Sequence, residues 1–214
     1  MDHLSASVLL LACGVAVPDY QRETAQVNDA VAKFVALKWS ARYLDELKDK
    51  RDVASLTAIA QSGEPFSDGA AGRAVACLPP HRITAYINKF SLGSPAWCCA
   101  LHTAARQHPK EVAVGYIKWL LTQPLPENTS EERSNAAKVR WKCYGICSSQ
   151  GWDDLAEVAQ TEVSDERSFY LVNTGLESVG DAARRYLESL ANRSPSLDKS
   201  QLRAQEPNKV GDRR

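Results

Sequence analysis

The 214 residues contain no catalytic triad, phosphate-binding loop, zinc-ligand pattern or glycine-rich nucleotide fingerprint, so no reaction can be read from motifs. No hydrophobic run reaches the length of a membrane-spanning helix: Leu4 to Val17 is uncharged but too short to span. Neither sign of charge is in excess. Lys plus Arg number 26 and Asp plus Glu 26, with a pI near 6.9. That balance removes the basic surplus on which binding to a phosphate backbone depends, and nucleic acid is not an expected partner. Disulfide density is lacking as well. Six cysteines (Cys13, Cys77, Cys98, Cys99, Cys143 and Cys147) do not staple a chain of this length, and contexts such as ACLPP and AWCCAL read as small buried apolar positions. What remains is a chain with 44% hydrophobic residues, enough to bury a core.

What is present is helical periodicity. Val27, Val31, Phe34, Leu37, Ala41 and Leu44 recur at three and four residues and predict one continuous helix of about five turns, followed by a solvated turn at Lys48 to Asp52. Shorter amphipathic patterns follow, punctuated by Gly and Pro. Their first helices carry Val53, Leu56 and Ala60, then Ile83, Ile87 and Phe90, then Val112, Ile117 and Leu120, then Leu155, Val158 and Val163. These starts lie roughly thirty residues apart, with one longer step where the loop Thr122 to Ser130 is extended.

The intervening helices are rich in small residues: Ala70, Ala71 and Ala74; Ala96, Cys98, Ala100, Ala104 and Ala105; Ala136, Ala137, Cys143 and Gly145. Small side chains let helix axes approach closely. Helix starts are signalled by Ser67-Asp68, Ser94-Pro95, the capping-box pair Thr129 and Glu132, and Gly180-Asp181. Ala70-Ala71-Gly72-Arg73 and Ala182-Ala183-Arg184-Arg185 are similar and support a repeated unit.

On period, helix length and this AAxR pattern, Asp52 to Asn192 resembles the HEAT-like helical repeat proteins. The resemblance implies an all-α fold of stacked antiparallel helix pairs in a short superhelical solenoid, a ridge-and-groove surface that most often binds protein, and little catalysis. A non-repetitive helical bundle is the alternative. The implied organisation is a signal or tether over 1–20, a helical domain over 21–192, and a polar tail over 193–214 that reads as disordered.

Leu10-Leu11-Ala12-Cys13-Gly14 resembles the lipobox of bacterial lipoproteins. It implies cleavage before Cys13, lipid on its thiol and a place at the periplasmic face of the cell envelope. The alternative is a first helix containing Val8, Leu9 and Leu10, ended by Gly14 and Pro18, in a cytoplasmic protein.

Cys98, Cys99 and His102 could share a helix face and hold a soft metal, but further ligands are not spaced to complete a site, so neither metal nor cofactor is expected. Cys143 and Cys147 at i,i+4 read as core filling. Trp39, Trp97, Trp119, Trp141 and Trp152 are the more suggestive set, because Trp anchors binding hot spots. Trp39 lies at the edge of its stripe, and Trp141 lies between Arg140 and Lys142. Trp39, Arg140, Trp141 and Trp152 are therefore the partner-binding candidates of a non-catalytic protein-interaction module, an adaptor, scaffold or inhibitor. Two alternatives stand beside it. One is a nucleic-acid binder or enzyme resembling the HEAT-like DNA alkylation-repair glycosylases, using Trp141, Trp152 and Asp153. The other is a structural protein that self-associates.

Overall fold

The computed structural model describes residues 19–171 and 175–193. Cys13 with its lipobox, and the tail beyond Arg193, lie outside them. The fold is all-α: ten helices among the described residues, with one short hairpin. None of these helices is long and apolar enough to cross a membrane. The chain divides into two compact units, the first ending at Leu78 and the second beginning at Pro79.

The first unit holds α1 (Asp19–Ala36), α2 (Ala41–Asp49), α3 (Val53–Gln61) and α4 (Asp68–Cys77). Helix α1 packs on α3, α2 on α4, and α3 on both α2 and α4. Phe34, Leu44, Leu56, Ile59, Ala70, Ala71 and Val75 form the centre of this core. The continuous helix expected through Leu44 is broken at Leu37 to Ser40, and Leu37 and Ala41 are exposed instead of buried. The reason is angular. At 100° per residue, Tyr43 would lie about 180° around a continuous helix from Phe34. Both are buried, with Leu44 and Leu47 beside Tyr43, so the second segment has to be re-aimed. Ser40 restarts the helix, its Oγ accepting the Tyr43 N–H at 3.4 Å. Asp52 caps α3 in the same way, accepting the Ser55 N–H at 3.1 Å.

The second unit holds α5 (Pro80–Ile87), α6 (Pro95–Gln107), α7 (Lys110–Thr122), α8 (Ser130–Gln150), α9 (Ala156–Glu162), β1 (Ser168–Leu171), β2 (Gly175–Ser178) and α10 (Val179–Arg193). Helices α5, α6 and α7 pack on one another, α6 and α7 also pack on α8, and α10 covers α8 and α9. The starts of α6 and α8 follow the expected chemistry. Ser94 Oγ accepts the Trp97 N–H at 3.2 Å with Pro95 in the first turn, and Thr129 and Glu132 complete a reciprocal capping box. At α10 the cap differs: Ser178, not Gly180, accepts the Asp181 N–H at 3.0 Å.

Both AAxR segments bury their alanines and pair the arginine with a carboxylate of an earlier element, Arg73 with Asp45 of α2 at 2.8 Å and Arg185 with Glu177 of β2. The hairpin has no counterpart in the helical pattern of the sequence. Its strands pair antiparallel, Phe169 opposite Glu177 and Tyr170 opposite Leu176, with Phe169 buried against α8.

Gly145 departs from the small-residue reading. It faces solvent, and a Cβ built there meets nothing within 4 Å. Gly145→Ala should therefore raise the unfolding free energy by about 0.5–1 kcal/mol, by restricting the unfolded chain without a clash. Urea denaturation measures this, and a loss of stability would show that the position is packed.

Candidate functional site

Helix α1 ends without Gly or Pro. Its last turn closes through the Leu37 N–H to Lys33 O and the Trp39 N–H to Phe34 O, both at 2.9 Å, while Lys38 and Trp39 take φ of 53° and 59°. Positive φ is the left-handed region, where a side chain crowds its own carbonyl at a cost of roughly 1–2 kcal/mol. The turn points Trp39 away from the core, leaving it 36% exposed beside the exposed Val35 and Leu37.

A second left-handed aromatic meets it. The loop between α3 and α4 reads Ser62-Gly63-Glu64-Pro65-Phe66-Ser67. The Ser67 N–H donates to Glu64 O at 3.1 Å, closing a β-turn in which Pro65 takes the second position and Phe66 the third, with φ 60°. That third position with positive φ is where type II turns place glycine. Phe66 is 73% exposed. Its ring centroid lies 6.4 Å from that of Trp39, the planes inclined at 56°. Trp39 Nε1 donates to Glu64 Oε2 at 3.3 Å, so the turn that carries Phe66 also fixes the indole.

The result is a ledge of Val35, Leu37, Trp39 and Phe66 with a carboxylate at the indole edge. Large exposed apolar groups in contact mark binding surfaces, and a two-χ aromatic can anchor a partner at small entropic cost. Trp39 was legible as an edge residue of its stripe. Phe66 was missed, although an aromatic set in a Gly, Pro and Ser loop was a usable signal.

The other sequence candidates sit elsewhere. Arg140 turns inward and is 8% exposed. Its Nε donates to Glu162 Oε1 at 2.9 Å, and the Tyr144 hydroxyl donates to Glu162 Oε2 at 2.6 Å, tying α8 to α9. It is therefore not the exposed cation beside Trp141 that the sequence suggests: its Nε is held by Glu162 and its Nη1 is buried without a hydrogen-bond partner among the described residues. Trp141 is half-buried, edge-on to Phe169 at 5.6 Å with Lys142 Nζ 4.7 Å from its ring centre. Trp152 is half-buried, and its carbonyl accepts the Tyr186 hydroxyl at 2.7 Å. Asp153 is exposed, while Asp154 pairs with Lys110 at 2.6 Å.

Trp97 is wholly buried, donating to the Tyr116 hydroxyl at 3.0 Å. Burial pushes the Cys143 thiol up and that of Cys147 up to about 12, which suits packing and not nucleophilic chemistry. Cys98 is buried and His102 exposed, and no group of three or more potential metal ligands exists among the described residues.

The second unit has exposed apolar residues of its own. Trp119 is one, and Tyr170 and Leu176, cross-strand neighbours in the hairpin, are two more. Beside Leu176 a cavity of about 760 Å³ is lined by Val163, Asp165, Ser168, Ser178 and Arg184. No protein-family model, curated protein or solved structure matches the chain.

Phe66→Gly should change stability by less than about 1 kcal/mol, because relief of left-handed strain offsets the lost ring contact and the entropy of glycine. A loss above about 2 kcal/mol on urea denaturation would make Phe66 part of the core and remove the ledge as a site. Arg140→Ala should instead cost about 3 kcal/mol or more, stranding Glu162, and the pair of changes Arg140→Met and Glu162→Met should cost less than that single one. Equal effects on the single and double variants would show that the ion pair does not set the cost.

Proposed function

We propose that this protein is a non-catalytic interaction module whose first unit docks a partner protein on the Trp39 and Phe66 ledge. One observation carries the reading. Two large aromatics touch one another, stay exposed, and are both held at left-handed backbone positions that a small residue fills more cheaply. The bend at Lys38 and Trp39 lets the core close, but neither left-handed position needs an aromatic side chain to form its turn. One hydrogen bond and one ring contact place the two anchors side by side before the partner arrives, and preorganised anchors lower the ordering cost of association.

Val35 and Leu37 extend the apolar area, and the charged neighbours Lys38 and Glu64 give it a polar rim, the arrangement of a protein-binding patch. The lipobox resemblance at Cys13 supports a place for this module on the bacterial envelope. Without lipid at Cys13 the module belongs to the cytoplasm.

The test is a photo-crosslinker. Phe66→p-benzoylphenylalanine, irradiated in cells, should give a discrete adduct with one protein, and Trp39→Ala should weaken that adduct while leaving helical content unchanged. The same probe at Ala54, exposed on α3 of the same unit, should give none. Equal adducts from positions 54 and 66, or none from 66, would overturn the docking reading.

A further inference from the structure

We infer that the ledge receives a cationic side chain, arginine or lysine, presented by the partner protein; this rests on the docking reading above and specifies what docks. The electrostatics point there. Trp39 and Phe66 incline their rings at 56° with centroids 6.4 Å apart, and the face of an aromatic ring is negative. Glu64 adds a full negative charge at the edge of the indole, held there by the Trp39 Nε1 donor at 3.3 Å. A cation within about 6 Å of an aromatic centroid is attracted by the ring, and a nearby carboxylate adds to that attraction.

The site is not self-satisfied. Among the described residues, cations lie over Tyr43 (Lys33, 4.9 Å), Tyr86 (Lys89, 5.7 Å) and Trp141 (Lys142, 4.7 Å), while neither Trp39 nor Phe66 has one. Glu64 makes no ion pair among the described residues, and the adjacent Lys38 does not reach it. Two aromatic rings in contact and a carboxylate with no ion pair among the described residues therefore lie together at one exposed spot. Arginine suits it well, because a guanidinium is planar, weakly hydrated and able to stack on an aromatic face while donating to a carboxylate.

The backbone strengthens the case independently of charge. Both rings are presented from left-handed positions, and Glu64 opens the same β-turn that carries Phe66. One hydrogen bond ties the indole to Glu64 and one turn sets the backbone of Phe66 beside them, so part of the receptor is in place before a cation arrives.

The experiment titrates the full chain with capped tripeptides Gly-X-Gly, X being arginine, lysine, citrulline or leucine, and follows the Trp39 indole N–H and Phe66 ring resonances by NMR. Those resonances are assigned by their loss in Trp39→Phe and Phe66→Leu. The arginine and lysine peptides should shift both resonances and bind at least about threefold more tightly than the citrulline peptide. Glu64→Gln, whose amide oxygen still accepts from Trp39, should remove most of that advantage and leave the leucine peptide unaffected. Citrulline binding as tightly as arginine, or Glu64→Gln without effect, would overturn the cationic assignment. A leucine peptide that binds best would do the same while leaving the docking reading intact. If no peptide moves either resonance, the cationic assignment falls; an adduct from position 66 in cells keeps the docking reading, and no adduct removes both.

Discussion

The left-handed turn at Lys38 and Trp39 decides how the first unit is built. Phe34 on one side of it and Tyr43, Leu44 and Leu47 on the other are all buried, yet a straight helix would turn Phe34 and Tyr43 to opposite faces. Two successive residues at φ of 53° and 59° redirect the chain within one turn, and Ser40 restarts the helix with its stripe aimed at α3 and α4. Exposure of Leu37 and Trp39 follows from that redirection, and Val35, on the last turn of α1, is exposed just before it. The apolar ledge is thus the outer side of the bend that lets the core close.

In the second unit the organising interactions are polar groups carried into the interior. The Trp97 indole donates to the Tyr116 hydroxyl, which donates to Asn88 Oδ1 at 3.0 Å, joining α6, α7 and the end of α5. Glu162 takes the Arg140 guanidinium and the Tyr144 hydroxyl, joining α9 to α8. The Tyr186 hydroxyl accepts the Leu155 N–H and donates to Trp152 O, joining α10 to the start of α9. Each link gives a buried donor a partner, and each fixes a helix that its small-residue face alone would allow to slide. Arg140 and Trp152, read from sequence as candidates for partner contact, belong at least in part to this internal wiring.

What was legible follows from what local chemistry can encode. Helix positions from Val53 onward were readable, because a 3.6-residue stripe and a cap such as Ser94-Pro95 or Thr129 with Glu132 act within a few residues of themselves. The break after Ala36 was not readable, since the sequence Leu-Lys-Trp-Ser continues the apolar period and carries neither Gly nor Pro. Only the long-range demand that Tyr43 and Phe34 share a core forces it. The hairpin was hidden for a similar reason: four-residue strands give no usable period, and their pairing depends on Phe169 finding α8. Burial of Arg140 depended on Glu162, 22 residues away, which no local pattern reveals.

The aromatic ledge lies where these two kinds of information meet. A β-turn with proline second and positive φ third is satisfied by glycine or asparagine, and a helix end with positive φ by the same residues. Placing phenylalanine and tryptophan there costs roughly 1–2 kcal/mol at each position, against about 0.5–1.5 kcal/mol from their mutual contact. Phe66, 73% exposed, therefore gains little from folding alone, whereas Trp39, 36% exposed, recovers part of its strain through the area it covers. With marginal stabilities of about 5–15 kcal/mol in domains generally, such an expense is meaningful but tolerable. An exposed phenylalanine at such a position fits the docking role proposed above, with Glu64 bonded to one ring and opening the turn that carries the other.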